Sequence, residues 1–119
     1  MIYLFIYFVL SISELFSLNI YNLDLESSSL EWIGRKVTGE HDGSINFSSG
    51  YVALDGKAIK SGFFNVDMKT IKNLDIENPT YRQYLEDHLN DDDFFSTDSH
   101  PLATLEIMAN LLQIVLLLA

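Results

Sequence analysis

Cysteine is missing from the chain, which removes disulfide frameworks, thiolate zinc sites and thiol nucleophiles together. Basic residues are scarce as well: seven Lys and Arg stand against 17 Asp and Glu, for a formal charge of −10. Nucleic-acid binding depends on clustered cations that displace counterions from phosphate, so this balance argues against nucleic acid as a partner. No Gly-x-Ser-x-Gly elbow, Walker loop or dinucleotide fingerprint occurs, and catalysis therefore has no visible seat. What remains is a chain of 119 residues, 48% hydrophobic and 13% aromatic, with enough apolar material for one core.

The acid is unevenly spread. Between residues 75 and 98 lie Asp75, Glu77, Glu86, Asp87, Asp91, Asp92, Asp93 and Asp98 with Arg82 as the single base, whereas the stretch from 31 to 72 is nearly neutral. The ends are apolar. Met1 to Ser13 has the length of a signal-peptide core and is followed by small residues at Ser11, Ser13 and Ser17, so 1–17 reads as a signal peptide and export follows. The terminal amine is the only positive charge ahead of the run, which keeps an uncleaved anchor or a buried strand open; a membrane span needs roughly 17 to 20 apolar residues. The tail 107–119 is a second apolar run of uncertain structure. Positions 107, 111, 115 and 118 follow helical spacing, while Ala103, Leu105 and Ile107 alternate as in a strand.

Between these ends, short runs of Val, Ile, Phe, Tyr and Trp are separated by Gly, Asn, Asp and Ser, the pattern of successive antiparallel strands. A first strand is predicted from about Ser29 to Thr38, with Gly39 to Gly43 as punctuation. A second is predicted from Ser44 to Leu54, with a bulge at Ser49-Gly50. Asp55-Gly56 signals a two-residue type I′ hairpin turn into a third strand, Ala58 to Met68. There Phe64, Val66 and Met68 alternate with Asn65 and Asp67, so one face is apolar. Asn78 and Pro79 form an N-cap and first-turn pair for one short helix around residues 79–89, with Tyr81, Tyr84, Leu85 and His88 on one face. One helix on a β-meander implies a mainly β fold, a barrel or sandwich.

His41, His88 and His100 are the only histidines and the only plausible metal or acid-base set. Their spacing matches no zinc helix, and Asp91-Asp92-Asp93 lacks the Gly and distal Glu of a calcium loop, so no metal is expected and the acidic run reads as solvated loop charge.

Taken together, the residues from Ser29 to Ile45 (SLEWIGRKVTGEHDGSI) resemble the opening motif of the YceI-like family. Gly62 to Ile71 (GFFNVDMKTI) is similar to that family's glycine, aromatic and Asp-Met strand. His88 to Phe95 (HLNDDDFF) is similar to its helix end, and His100 to Leu105 (HPLATL) to the strand that follows. The resemblance covers about Ser29 to Ile107. It implies an antiparallel lipocalin-like β-barrel whose tunnel holds a polyisoprenoid or similar amphiphile, in a periplasmic or secreted protein without cofactor.

Members of the family continue for several more strands after the His-Pro block. Here a short Leu-rich tail stands in their place, which points to truncation or a frameshift near Met108 and to an incomplete barrel. Residues 18–106 then form the N-terminal part of the barrel domain. Trp32, Ile45, Phe47, Phe64, Val66 and Met68 are the candidate tunnel wall, and His41 and His88 the candidate head-group contacts, each competing with an ordinary core or hydrogen-bonding role. The expected ligand is an isoprenoid or quinone-like lipid, and open barrel edges would favour a homo-oligomer. The competing readings are a small hydrolase or isomerase using His88 and a carboxylate on a lipid-like substrate, or a non-functional fragment.

Overall fold

The structure is a computed structural model; it describes residues 18–108 in full and the backbone of 113–118. The signal peptide expected over 1–17 lies outside the described residues. In chain order the elements are β1 (Leu18–Asn22), β2 (Leu30–Lys36), β3 (Gly39–Asp55), β4 (Ala58–Asn73), α1 (Pro79–Asn90), β5 (Leu102–Met108) and β6 (Gln113–Leu118).

Every pairing is antiparallel, as the meander pattern predicts, and the sheet runs β1–β3–β4–β5–β6 with β2 also on β3. A strand has only two edges. Since β4 pairs with β3 from Gly43 to Asp55, both β2, on Gly39 to Ile45, and β1, on Tyr51 to Asp55, take the opposite edge. The described sheet is therefore open, with β1 and β2 along one side and β6 along the other. This is the incomplete form of the expected barrel. Among the described residues no helix is long and apolar enough to cross a membrane.

Several local expectations change. Gly39 to Gly43 is strand rather than punctuation, and the chain turns at Val37-Thr38 instead. Polar residues are tolerated there because this end of the sheet is exposed on most positions. The two-residue hairpin loop is Gly56-Lys57, since Asp55 already pairs with Ala58. Only Gly56 has positive φ, +60°, which fits a type II′ turn rather than type I′. The bulge falls between Phe47 and Ser49, one residue before the predicted site. β4 continues past Met68 to Asn73.

That continuation contains a larger excursion. Asn46 pairs with Asp67 and Ser44 with Lys72, so one residue of β3 stands against four of β4. The freed backbone groups find partners: Asn46 N–H donates to Thr70 Oγ1 at 2.8 Å, and Met68 N–H donates to Pro101 O at 2.9 Å. Met68 and Ile71 both turn into the core as a result, joined by Ile45, Leu89 and Ala103.

The helix starts as its cap predicts, with Asn78 Oδ1 accepting from Thr80 N at 2.9 Å and Tyr81 N at 3.2 Å, and it ends at Asn90. Its roll differs. Tyr81 is 69% and Tyr84 79% exposed, and His88 is exposed too, while Glu86 and Leu89 are buried with Arg82 and Leu85 beside them. A polar contact sets this orientation: the Glu86 carboxylate accepts from the buried Asn73 N–H at 2.9 Å and from Lys72 Nζ at 3.3 Å.

The tail is extended where it is described. Ile107 lies inside β5, so the expected boundary at 107 cuts a strand, and Gln113 to Leu118 pairs with Met108 to Ala103. Ladder pairing overrides the helical spacing. Residues 109–112 lie outside the described residues.

Gly43 is where three strands come closest. It faces Trp32 on β2 and Asn73 on β4, and an added Cβ would overlap both the Lys72 carbonyl oxygen and the indole nitrogen. That space lets Trp32 Nε1–H cross β3 and donate to Lys72 O at 3.0 Å. Gly43→Ala is therefore expected to destabilise the fold by about 1–3 kcal/mol, the usual range for overpacking a tight site. Urea denaturation followed through Trp32, the only tryptophan, would measure it; an unchanged midpoint would contradict this account.

Candidate ligand-binding site

Cross-strand partners share a face, so the register sorts the side chains. Leu30 faces Ile45, Phe47 faces Val66, and Val66 faces Ala103, which places them with Trp32 and Met68 on the side that carries α1. Leu85 and Leu89 of α1 and Phe95 of the following loop pack onto the same side. Between them lies a cavity of about 330 Å³ whose wall is almost wholly apolar.

Of the six expected wall residues, Trp32, Ile45, Val66 and Met68 line this cavity. Phe47 and Phe64 do not. They are half-buried farther along the same face, with ring centroids 6.0 Å apart. Beyond the cover of α1 that face stays apolar. The bulge after Phe47 keeps Gly50 and Val52 in phase with Phe64 and Gly62 of β4, a second register shift at Lys60 does the same for Leu54 and Ile59, and Leu105 and Ile107 of β5 join them. The resulting lane runs from Val66 to Ile59, roughly 20 Å at strand rise.

A second recess of about 260 Å³ adjoins the cavity, sharing Trp32, Gly34, Leu89 and Phe94 as wall. Here charged and titratable side chains enter a still largely apolar lining: Arg35, Lys36, His41 and His88. The two histidines singled out from sequence, far apart in the chain, thus meet at one opening. His41 Nδ1 is 2.8 Å from Asp75 Oδ2, and Arg35 Nε is 2.9 Å from Glu40 Oε2. His88 Nδ1 is 3.9 Å from Asp93 Oδ1, too far for a hydrogen bond, and its ring centroid is 5.8 Å from that of Phe94. His100 lines neither recess.

Asp75 is the hub of the polar side. The His41 ring holds its carboxyl down to a pKa of about 2, helped by the Asp42 N–H and the Asn73 amide. Asn73 Nδ2 also donates to Asp42 O at 3.0 Å, so β3, β4 and α1 are knotted together at this point.

Two other arrangements bear on chemistry. His88, Asp91 and Asp93 bring ligand atoms within 4.8 Å of one another, but all three are exposed, as loop carboxylates often are without an ion. The pairing of His88 with a carboxylate that an acid-base enzyme would need is the 3.9 Å contact with Asp93.

Leu30, Ile71, Leu89, Phe94, Phe95 and Ala103 also line the cavity and were not among the expected residues. The helix did carry a signal: Arg82, Leu85, Glu86 and Leu89 stand at i, i+3, i+4 and i+7, a face that Arg and Glu disguise as solvent-facing. A model of the YceI-like domain family matches residues 21–113. No curated protein and no solved structure matches the chain.

The low pKa of Asp75 has a pH consequence with a definite sign. Its carboxyl ionises near 3.8 when unperturbed and near 2 in the fold, so its stabilising contribution is present above about 3.8 and is lost as pH falls toward 2. At 30% side-chain exposure the contribution is modest. Asp75→Asn should lower stability at neutral pH and flatten the acid limb between those values, read by chemical denaturation across pH. Parallel acid limbs for the two proteins would contradict the assignment.

Proposed function

The chain belongs to the YceI-like family, and from that premise we propose that it binds a long-chain isoprenoid or similar amphiphilic lipid as a carrier or storage module rather than an enzyme. The observation that carries the reading is the continuity of three surfaces: a recess that carries Arg35, Lys36, His41 and His88, an apolar cavity, and an apolar lane that no described helix or loop covers. An amphiphile needs all three. Each buried CH₂ contributes on the order of 0.8 kcal/mol, so a long chain gains affinity without polar contacts along its length.

The cavity lies near the lower end of the ~300–1,000 Å³ typical of ligand pockets. A long lipid would fill it with one segment and lay the remainder on Phe47, Phe64 and Leu105. Trp32, Ile45, Val66 and Met68 would then hold the segment nearest the head group, and His41 and His88 would meet the head group itself. An apolar leader over 1–17 supports export to the periplasm or the exterior. Among the described residues the open sides of the sheet present N–H and C=O groups without strand partners, which supports association between copies.

Mass spectrometry of an organic extract of the purified chain should show a stoichiometric isoprenoid or quinone-like guest. Val66→Asp should cut its recovery at least about tenfold, because an unpaired carboxylate in an apolar wall is strongly disfavoured, while circular dichroism checks that the fold persists. An empty, well-folded parent protein would overturn the reading. Light scattering on the chain without residues 1–17 should give oligomers, and a monodisperse monomer would remove the edge-association part.

A further inference from the structure

At the end of β3 and β4 away from α1, the register gathers the start of β1, the β3–β4 hairpin and the end of β5. Leu18 faces Asp55, Leu54 faces Ile59, and Ser61 faces Met108. Leu18, Ile20, Ile59 and Met108 are all exposed there. Lys57 and Lys60 project from the same hairpin and are exposed as well; Asp55, 4.0 Å from Lys60 Nζ, is its one carboxylate.

This basic and aliphatic end belongs to a protein of net charge −10. The acidic residues of 75–98 sit on α1 and the segments on either side of it, and Lys69, toward the α1 end of β4, holds the loop after α1 through Asp98 at 2.9 Å. Roughly 20 Å of strand separates the hairpin from the start of the β4 excursion at Asp67. The charge is thus polarised along the sheet. Continuity of the chain points the same way, because β1 starts at Leu18 directly after the apolar leader of residues 1–17.

We propose that this hairpin end is a docking surface for an anionic lipid bilayer. Aliphatic side chains interleaved with ammonium groups suit the interface, where the former enter the acyl boundary and the latter meet phosphates. The acidic helical end is repelled by the same surface, so the protein stands with the hairpin down. The apolar lane, which no described helix or loop covers, ends at Leu54 and Ile59. Docking therefore brings its open end to the acyl chains, a route for loading that rests on the lipid-binding reading above.

The absence of cysteine makes the test clean. Full-length chain carrying Ile59→Cys, or Val37→Cys at the other hairpin, is labelled with a polarity-sensitive dye and mixed with phosphatidylcholine vesicles with or without phosphatidylglycerol. The Ile59 dye should shift to the blue only with anionic vesicles, and the Val37 dye should not shift. Lys57→Glu with Lys60→Glu should weaken vesicle binding at least about tenfold at low salt, in line with ~1 kcal/mol per interfacial lysine.

A silent Ile59 dye, or binding unaffected by the lysine changes, would overturn the proposal, since attachment would then run through residues 1–17 alone. A blue shift without vesicles would also overturn it, by showing the hairpin covered by a second copy. Guest content measured on the same samples keeps the two readings apart. A retained guest without docking removes the docking surface only, and docking by an empty protein removes the lipid-carrier reading only.

Discussion

Hydrogen bonding along both edges of β3 is the constraint from which the rest of the molecule takes its positions. One edge is divided between β2 and β1, and the other is given to β4, so each neighbouring side chain has its face decided by its register on this one strand. A slip of one residue would send Trp32, Val66 and Phe47 to solvent and dismantle the cavity. The type II′ loop at Gly56-Lys57 and the extra residue after Phe47 oppose such a slip, because each is compatible with one alignment only.

Where the sheet meets α1, polar groups decide the geometry that apolar groups then exploit. Asn73 is nearly inaccessible and supplies a backbone N–H to Glu86 and side-chain bonds to Asp42 and Asp75. Losing the Glu86 partner would strand a buried donor, which typically costs about 1–3 kcal/mol. Among the described residues no buried side-chain nitrogen or oxygen lacks a partner. The apolar lid formed by Leu85, Leu89 and Phe95 is consequently aimed by a carboxylate.

Local patterns announced the elements better than their mutual placement. Alternation through Phe64, Val66 and Met68 marked β4, and Asn78-Pro79 marked the start of α1, because strand pleat and helix cap are properties of neighbouring residues. The roll of α1 was hidden, since it depends on Glu86 finding the backbone of a residue on another element. Polar composition likewise concealed that Gly39 to Gly43 is strand. Four of the six wall residues named from sequence line the cavity, but Ala103 joins it only because β5 pairs beside β4, and Phe94 and Phe95 only because the loop after α1 folds back onto that face. No single stretch encodes such long-range placement.

The excursion of β4 between Asp67 and Lys72 leaves its four residues outside the ladder, with their freed groups tied to Thr70 Oγ1, Asp67 and the Pro101 carbonyl. In evolutionary terms this is a length-tolerant joint inside an otherwise ladder-paired strand. A residue gained or lost there is absorbed before the alignment resumes on either side, yet it alters how far Met68 and Ile71 reach into the cavity. The depth of the cavity is thereby adjustable by indels, independently of the scaffold that carries it.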